Sequence, residues 1–127
     1  MKPNEANAKY CLKNAKFVNG LLEGRGWQDG DWVWLNGRPQ FISRVNEDGN
    51  VLIHSGWHVP EAGAIWLPSE GDLLAMLADE GFGSLSWGHT TKHHKYQCSS
   101  DASRQICGGP TLLIALLELL RTVEDEG

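Results

Sequence analysis

The sequence predicts an α+β fold, in which one antiparallel sheet, built from a meander and a later hairpin, packs against two helices as a layered sandwich. One observation is a Trp-rich β-meander at residues 27–54, whose strand-forming runs are separated by Asn-Gly and Asp-Gly. A second is a hairpin pattern at residues 85–98. A third is the apolar helical periodicity of residues 69–79 and 110–122, which lie on either side of that hairpin.

The length and composition predict one compact domain over residues 1–127. This is a common size for a single domain, and an apolar fraction of 41% is enough to build a core. Within that domain we expect two sub-units, a β-meander part at residues 1–60 and a helix-hairpin-helix part at residues 61–127.

Residues 5–22 allow two interpretations. Their small and apolar residues fit a poorly amphipathic helix, which would be followed by a turn at Asn19-Gly20. The alternative is a hairpin over Phe17–Leu22, because Asn-Gly supplies the positive φ angles of a type I′ turn. The short helix followed by a turn is slightly favoured.

The meander is the clearest β pattern in the chain. Its predicted strands are Asp31–Leu35, Gln40–Val45 and Asn50–His54. Side chains alternate along a strand, so Trp32 and Trp34 share one face of the first strand while Val33 and Leu35 share the other. Because both faces are apolar, we expect this strand to be central or covered on both sides.

A loop over residues 56–63 and a short strand over residues 64–67 follow the meander. Ser69 is a good N-cap for a helix that runs to about Ala78. Glu70 and Asp72 lie in the first turn of this helix, where carboxylates interact favourably with its positive end.

The last third of the chain predicts a hairpin and a very apolar helix. The hairpin strands are Leu85–His89 and His93–Cys98, and the helix opens at Gly109-Pro110 with proline in the first helical position. Leucine and isoleucine cover more than one face of this helix, so it must be buried or dock on another chain. We therefore expect a protein partner or a homo-oligomer.

Charge and cysteine content restrict the cellular setting. The formal net charge is −5 and no Lys/Arg block exists, which argues against a nucleic-acid partner. No apolar run is long enough to span a membrane, and no secretion signal is visible. Three widely spaced cysteines fit a reducing cytoplasm, with a Cys98–Cys107 bridge as an alternative.

One cluster of residues has the chemistry of metal ligands. His89, His93, His94 and Cys98 are spaced so that ligands can converge within the predicted hairpin, and Cys107 is near in sequence. The sequence contains no standard four-ligand zinc motif. We therefore expect no cofactor, and a zinc site formed by these residues is the alternative.

The six tryptophans offer a second candidate site. An exposed aromatic surface can stack on bases or sugars, or bind a peptide as SH3-like modules do. Core packing is the favoured explanation, because acidic residues offset the few arginines of that half. No nucleophile elbow, P-loop or dinucleotide fingerprint is present, so we expect no enzymatic activity.

Two pieces of the sequence carry a family resemblance. The first joins Gly24–Trp32 to Ile65–Leu74, and the second joins Tyr96–Cys98 to Gly109–Leu117. Their order resembles the phage ABA-sandwich domain over residues 64–123, in a family of small phage and prophage proteins without an established activity. The resemblance implies a layered α/β architecture and a mobile-element origin, and it implies nothing about catalysis.

These observations favour a non-enzymatic cytoplasmic protein of phage or prophage origin that acts by binding another protein. The alternatives are a zinc-stabilised binding module and a nucleic-acid accessory protein with a tryptophan-rich face.

Overall fold

A computed structural model describes residues 3–60, 63–80, 85–90, 95–100 and 106–126. The predicted α+β class is confirmed, since four helices accompany antiparallel strands in this part of the chain. The strands form three small sheets, whereas one sheet shared by the meander and the hairpin was expected. The chain divides into two compact units, Met1–Pro68 and Ser69–Gly127.

The first unit begins with two helices and continues with six short strands. The helices are α1 (Glu5–Lys13) and α2 (Ala15–Glu23), and the strands are β1 (Trp32–Leu35), β2 (Arg38–Phe41), β3 (Arg44–Val45), β4 (Val51–Ile53), β5 (Gly56–His58) and β6 (Ile65–Leu67).

Both interpretations of the turn at Asn19-Gly20 are wrong, because these two residues lie inside α2. The predicted helix is present, and it is interrupted at Asn14 rather than ended at Asn19. Val18 and Leu22 are one helical turn apart and both buried, so tertiary packing overrides the local turn preference of Asn-Gly.

The first sheet has the strand order β2-β1-β6, which confirms that the first predicted strand is central. The β1–β2 hairpin turns at Asn36 and Gly37, the Asn-Gly pair predicted to separate the strands, and their φ angles of 57° and 79° are those of a type I′ turn. The short strand expected over residues 64–67 is present as β6, antiparallel to β1.

The second sheet has the order β3-β4-β5 and differs from the predicted meander. The run Gln40–Val45 is divided at Ile42 and Ser43 between two strands of different sheets. The chain can leave the first sheet here because Ile42 is fully buried and the Ser43 N–H donates to the carbonyl of Leu52 at 2.9 Å. The predicted loop over 56–63 is also partly wrong, since β5 lies within it.

One apolar cluster in the core of the first unit draws on both sheets. Its buried residues are Val33, Ile42, Val51, Ile53 and Ala64. Trp27, Leu35 and Val45 are partly buried against them. Residues distant in sequence thus share one apolar cluster, and its burial stabilises the two small sheets together.

Helices α1 and α2 pack on β6, the end strand of the first sheet. The Asn19 side chain of α2 donates to the carbonyl of Ala64 at 3.0 Å and accepts from the N–H of Trp66 at 3.1 Å. One side-chain amide therefore satisfies the backbone donor of Trp66 in β6 and the backbone acceptor of Ala64 just before it, as a neighbouring strand would.

The second unit contains two helices and the third sheet. Its elements are α3 (Glu70–Asp79), β7 (Leu85–Thr90), β8 (Lys95–Ser100), β9 (Ile106–Gly109) and α4 (Leu112–Glu126), and the sheet order is β7-β8-β9. The predicted hairpin is confirmed as β7 and β8, and β9 is a strand that the sequence pattern did not reveal.

The starts of the two helices show one prediction confirmed and one corrected. Ser69 caps α3, and Asp72 completes a reciprocal capping box with it. The proline position predicted for α4 is wrong, because that helix starts at Leu112, beyond Pro110. Thr111 is the capping residue instead, since its hydroxyl accepts from the N–H of Ile114 at 3.2 Å.

The apolar face of α4 is buried within the chain. Helix α4 packs on α3, β8 and β9. Its buried residues are Leu113, Ile114, Ala115, Leu116, Leu117, Leu119 and Leu120. The burial accounts for the apolar composition that had suggested a docking surface on this helix. Among the described residues, no helix combines the length and the apolar character needed to cross a bilayer.

Gly109 is expected to tolerate no side chain. A Cβ at this position would lie 2.5 Å from Cγ2 of Ile114 and 3.3 Å from the backbone nitrogen of Ala115. We expect Gly109→Ala to lower the free energy of unfolding by about 1–3 kcal/mol through overpacking. Gly20→Ala is the matched control, because a Cβ there has no neighbour within 4 Å and the residue lies inside α2. The free energy of unfolding of this control, measured in urea, should rise by about 0.5–1 kcal/mol. Equal effects of the two substitutions would contradict the packing of Gly109.

Cys11 is expected to make stability depend on alkaline pH. Burial raises the pKa of its thiol from 9.0 to about 12, because the thiolate would be poorly solvated. Above pH 9 the unfolded chain releases this proton and the native chain retains it. The free energy of unfolding should therefore fall between pH 9 and about 12, by about 1.4 kcal/mol per pH unit.

The comparison of wild type with Cys11→Ala in urea unfolding isolates this effect. Alanine costs a roughly constant amount through the cavity it leaves, and it removes the ionisable group. The stability advantage of the wild type should therefore shrink as pH rises above 9. An advantage that is independent of pH would show that the native thiol ionises normally.

Candidate functional site

A groove of about 550 Å³ lies in the first unit. Its volume is within the range of about 300–1,000 Å³ that is common for ligand sites. The lining residues are Trp32, Arg38, Pro39, Gln40, Phe41, Ser43, Ile53 and His54. They come mainly from β2 and from the end of β4, so the groove runs beside the outermost strand of the first sheet.

The aromatic wall of the groove follows from the register of β1 and β2. Trp32 lies directly opposite Phe41, and their ring centroids are 5.4 Å apart at a tilted angle of 59°. The N–H of Ile42 donates to the carbonyl of Asp31. Because hydrogen-bonded and non-hydrogen-bonded pairs alternate along antiparallel strands, the adjacent pair of Trp32 and Phe41 is a non-hydrogen-bonded pair. Side chains approach most closely at such positions, and 48% of Phe41 stays exposed.

The same alternation leaves part of the β2 backbone available. Strand β2 is at the end of its sheet, and Ile42 directs its backbone groups toward β1. The N–H and carbonyl of Phe41 therefore point to the outer edge of β2. The backbone of Pro39, two residues earlier, also faces the outer edge. The absence of an N–H in proline therefore removes no hydrogen bond between β1 and β2. Phe41 thus offers a donor and an acceptor beside its own exposed ring.

Two hydrogen bonds connect Ser43, which lies just after β2, to the strand β4 of the opposite wall. Both the N–H and the hydroxyl of Ser43 donate to the carbonyl of Leu52, at 2.9 and 3.2 Å. This connection holds Ile53 and His54 next to the end of β2. The Gln40 amide donates to the carbonyl of Leu35 at 2.8 Å, which adds a bond between the two strands of the β1–β2 hairpin.

The groove is lined by basic side chains and no carboxylate. Its only ionisable lining residues are Arg38 and His54, and both are exposed. Among the ion pairs of the described residues, none involves either side chain. The chain as a whole has a net charge of −5, so the groove is locally opposite in sign to the protein.

A buried ion pair supports the strand that carries Trp32. The Arg25 guanidinium binds the Asp31 carboxylate through two bonds of 2.8 and 2.9 Å, and the two side chains are only 17% and 4% exposed. The N–H of Gln28 also donates to Asp31. Arg25 further lies 5.0 Å from the centroid of the Trp66 ring, in a cation–π contact. These bonds link the segment after α2 to the start of β1.

The tryptophans do not form one stacking surface in the described part of the chain. Trp66 is fully buried, and its indole N–H has no hydrogen-bond partner there. Trp27 packs against the core, and Trp32 and Trp34 are half-buried. Trp57 is half exposed on β5 and does not line the groove.

Two of the predicted metal ligands, His89 and Cys98, lie in the third sheet. His89 of β7 is opposite Tyr96, and Cys98 of β8 is opposite both Trp87 and Cys107. His93 and His94 lie outside the described residues. No group of three His, Cys, Asp or Glu side chains within the described part is arranged to hold a metal ion. The zinc site therefore stays a prediction.

Sequence reasoning identified Trp32 but missed most of the groove. Arg38, Pro39 and Phe41 form the strand after the Asn-Gly turn, and their alternation with Gln40 was the available signal. The division of the chain at Ile42 and Ser43, which creates the second wall, had no such signal.

No family model, curated protein or solved structure matches this chain. The resemblance of residues 64–123 to the phage ABA-sandwich domain therefore remains a prediction from the residues that carry it.

Loss of the buried ion pair is expected to be costly. We expect Asp31→Ala to lower the free energy of unfolding by about 3–5 kcal/mol, because it leaves the Arg25 charge poorly paired in a largely buried site. The double variant with Arg25→Ala should recover part of this loss, since no unpaired charge remains.

Glu5→Ala is the matched control for that measurement. Glu5 forms an ion pair with Lys9 on α1 at 3.4 Å, with both side chains largely exposed. Exposed pairs contribute little, so urea unfolding should change only slightly. A small loss for Asp31→Ala, similar to that of the control, would contradict the supporting role of the buried pair.

Proposed function

We propose that this chain is a non-enzymatic protein-interaction module, which binds an extended segment of a partner protein in the aromatic groove. The observation that carries the proposal is the exposed ring of Phe41 beside the outward-facing backbone groups of the same residue. An extended peptide can pair with such a strand edge and place an apolar side chain on the aromatic wall.

The dimensions of the groove support a peptide as ligand. The wall of β2 is four residues long, which corresponds to about 13 Å of extended chain. Phe41 and half-buried Trp32 provide the kind of aromatic anchor that dominates many protein interfaces. Gln40 and Ser43 add polar groups to the lining.

The apolar helix α4 does not carry this proposal. Its leucines other than half-buried Leu112 are buried, so they offer little surface to a partner. The exposed large apolar side chains among those described are Phe41, Trp57 and Val59, all in the first unit. The proposal therefore assigns binding to the sheet region rather than to the C-terminal helix.

The setting of the protein belongs to the same proposal. The family resemblance supports a phage or prophage origin, and the three widely spaced cysteines support the cytoplasm. The acidic net charge argues for a protein partner over a nucleic acid.

Selection of a displayed random-peptide library on the full chain tests the groove. We expect the wild type to enrich peptides whose affinity falls at least about tenfold for Phe41→Ser, because the substitution removes the exposed aromatic anchor. Val59→Ser is the matched control, since Val59 is 62% exposed and lies outside the groove. Circular dichroism and urea unfolding should be similar for all three proteins.

Peptides that bind Phe41→Ser as tightly as the wild type would place recognition elsewhere. Loss of binding for both variants would indicate a general apolar surface rather than this groove.

A further inference from the structure

We infer that the groove selects an acidic peptide, in which a carboxylate side chain binds Arg38 and an apolar side chain about three residues away packs on Phe41. The inference rests on the proposed function and names the chemistry of the partner. Its starting observation is the charge of the lining, which contains Arg38 and His54 and no carboxylate. The chain carries sixteen acidic residues, so this basic lining differs from the overall composition.

Arg38 is available to a ligand. Its side chain is exposed, and no hydrogen bond or ion pair of the described residues uses it. Arg25 in the same unit is instead held by Asp31 in a bidentate pair. A guanidinium with uncommitted donors binds a carboxylate in that same planar geometry, and it is the residue best suited to do so.

The strand sets the spacing between the two contacts. Arg38 and Phe41 are the first and last residues of β2, so their Cα atoms are about 10 Å apart at about 3.3 Å per residue. Arg38 and Phe41 lie on opposite faces of β2, and residues three apart in an extended ligand that pairs with β2 cover the same distance and also lie on opposite faces. We therefore expect Asp or Glu about three positions from an aliphatic or aromatic residue.

A peptide fits these features better than a nucleic acid. Nucleic-acid grooves contain several cations that follow the phosphate backbone, and here Arg38 and His54 are the only basic lining residues. The surrounding chain is acidic, which opposes a polyanion but allows a single carboxylate. The outward backbone groups of Phe41 also match a peptide backbone rather than a sugar-phosphate chain.

A charge exchange at Arg38 tests the inference with the same peptide library. We expect peptides selected on the wild type to contain Asp or Glu at the stated spacing. Library selection on Arg38→Glu should enrich Lys or Arg there instead. The best acidic peptide should bind Arg38→Gln about tenfold more weakly, and its wild-type affinity should fall as salt concentration rises.

Arg44→Gln is the matched control for the charge. Arg44 is an exposed arginine on β3 that does not line the groove. Its substitution changes the net charge by the same amount and should leave peptide affinity unchanged. An equal loss for both variants would show general attraction to the protein rather than recognition by Arg38.

The possible outcomes distinguish acidic selectivity from peptide binding in the groove. Selected peptides that require Phe41 but show no preference for Asp or Glu would overturn the inference and leave the peptide groove intact. The same conclusion would follow if selection on Arg38→Glu still enriched Asp or Glu. A library without any Phe41-dependent peptide would overturn both. Phe41-dependent binding of single-stranded oligothymidine, tighter than any selected peptide, would replace the peptide with a nucleic acid.

Discussion

The bidentate ion pair between Arg25 and Asp31 is the constraint on which the arrangement of the first sheet depends. It joins the segment that leaves α2 to the residue before β1, and it is largely removed from water. A charged pair in such a site is stable only when its donors and acceptors are satisfied together. Asp31 accepts from the guanidinium and from Gln28, while its backbone carbonyl accepts from Ile42. One residue thus determines both the entry to β1 and the register of its neighbour.

The groove is a product of that register and of the division of one extended run between two sheets. If residues 40–45 formed a single straight strand, the end of β4 would not lie beside β2. The complete burial of Ile42 stabilises the point where the chain leaves the first sheet. The hydrogen bond from Ser43 to the carbonyl of Leu52 then holds the chain beside β4. The aromatic ring of Phe41 remains at the surface because the core is filled by residues on the other face of the sheet. The groove and the core therefore both result from the alternation of side chains between the two faces of the sheet.

Local patterns predicted the elements whose causes are local. The Asn36-Gly37 turn and the Ser69 cap depend on a few adjacent residues, and both were anticipated from the sequence. The helical state of Asn19-Gly20 and the split after Phe41 depend on contacts with distant strands, which no local pattern contains. The candidate site was predicted only in part for the same reason. Trp32 was noticeable by composition, whereas the wall facing it is assembled by tertiary hydrogen bonds.

The amide of Asn19 has a consequence for self-association. A sheet with two receptive edges can add copies of itself at both ends and grow into an open filament. In the first sheet, Asn19 occupies backbone groups of β6 at one end, while Phe41 leaves β2 receptive at the other. Strand pairing through β2 alone would stop at a closed two-fold pair. The asymmetry between the two ends permits recognition at one edge without continued polymerisation from the other.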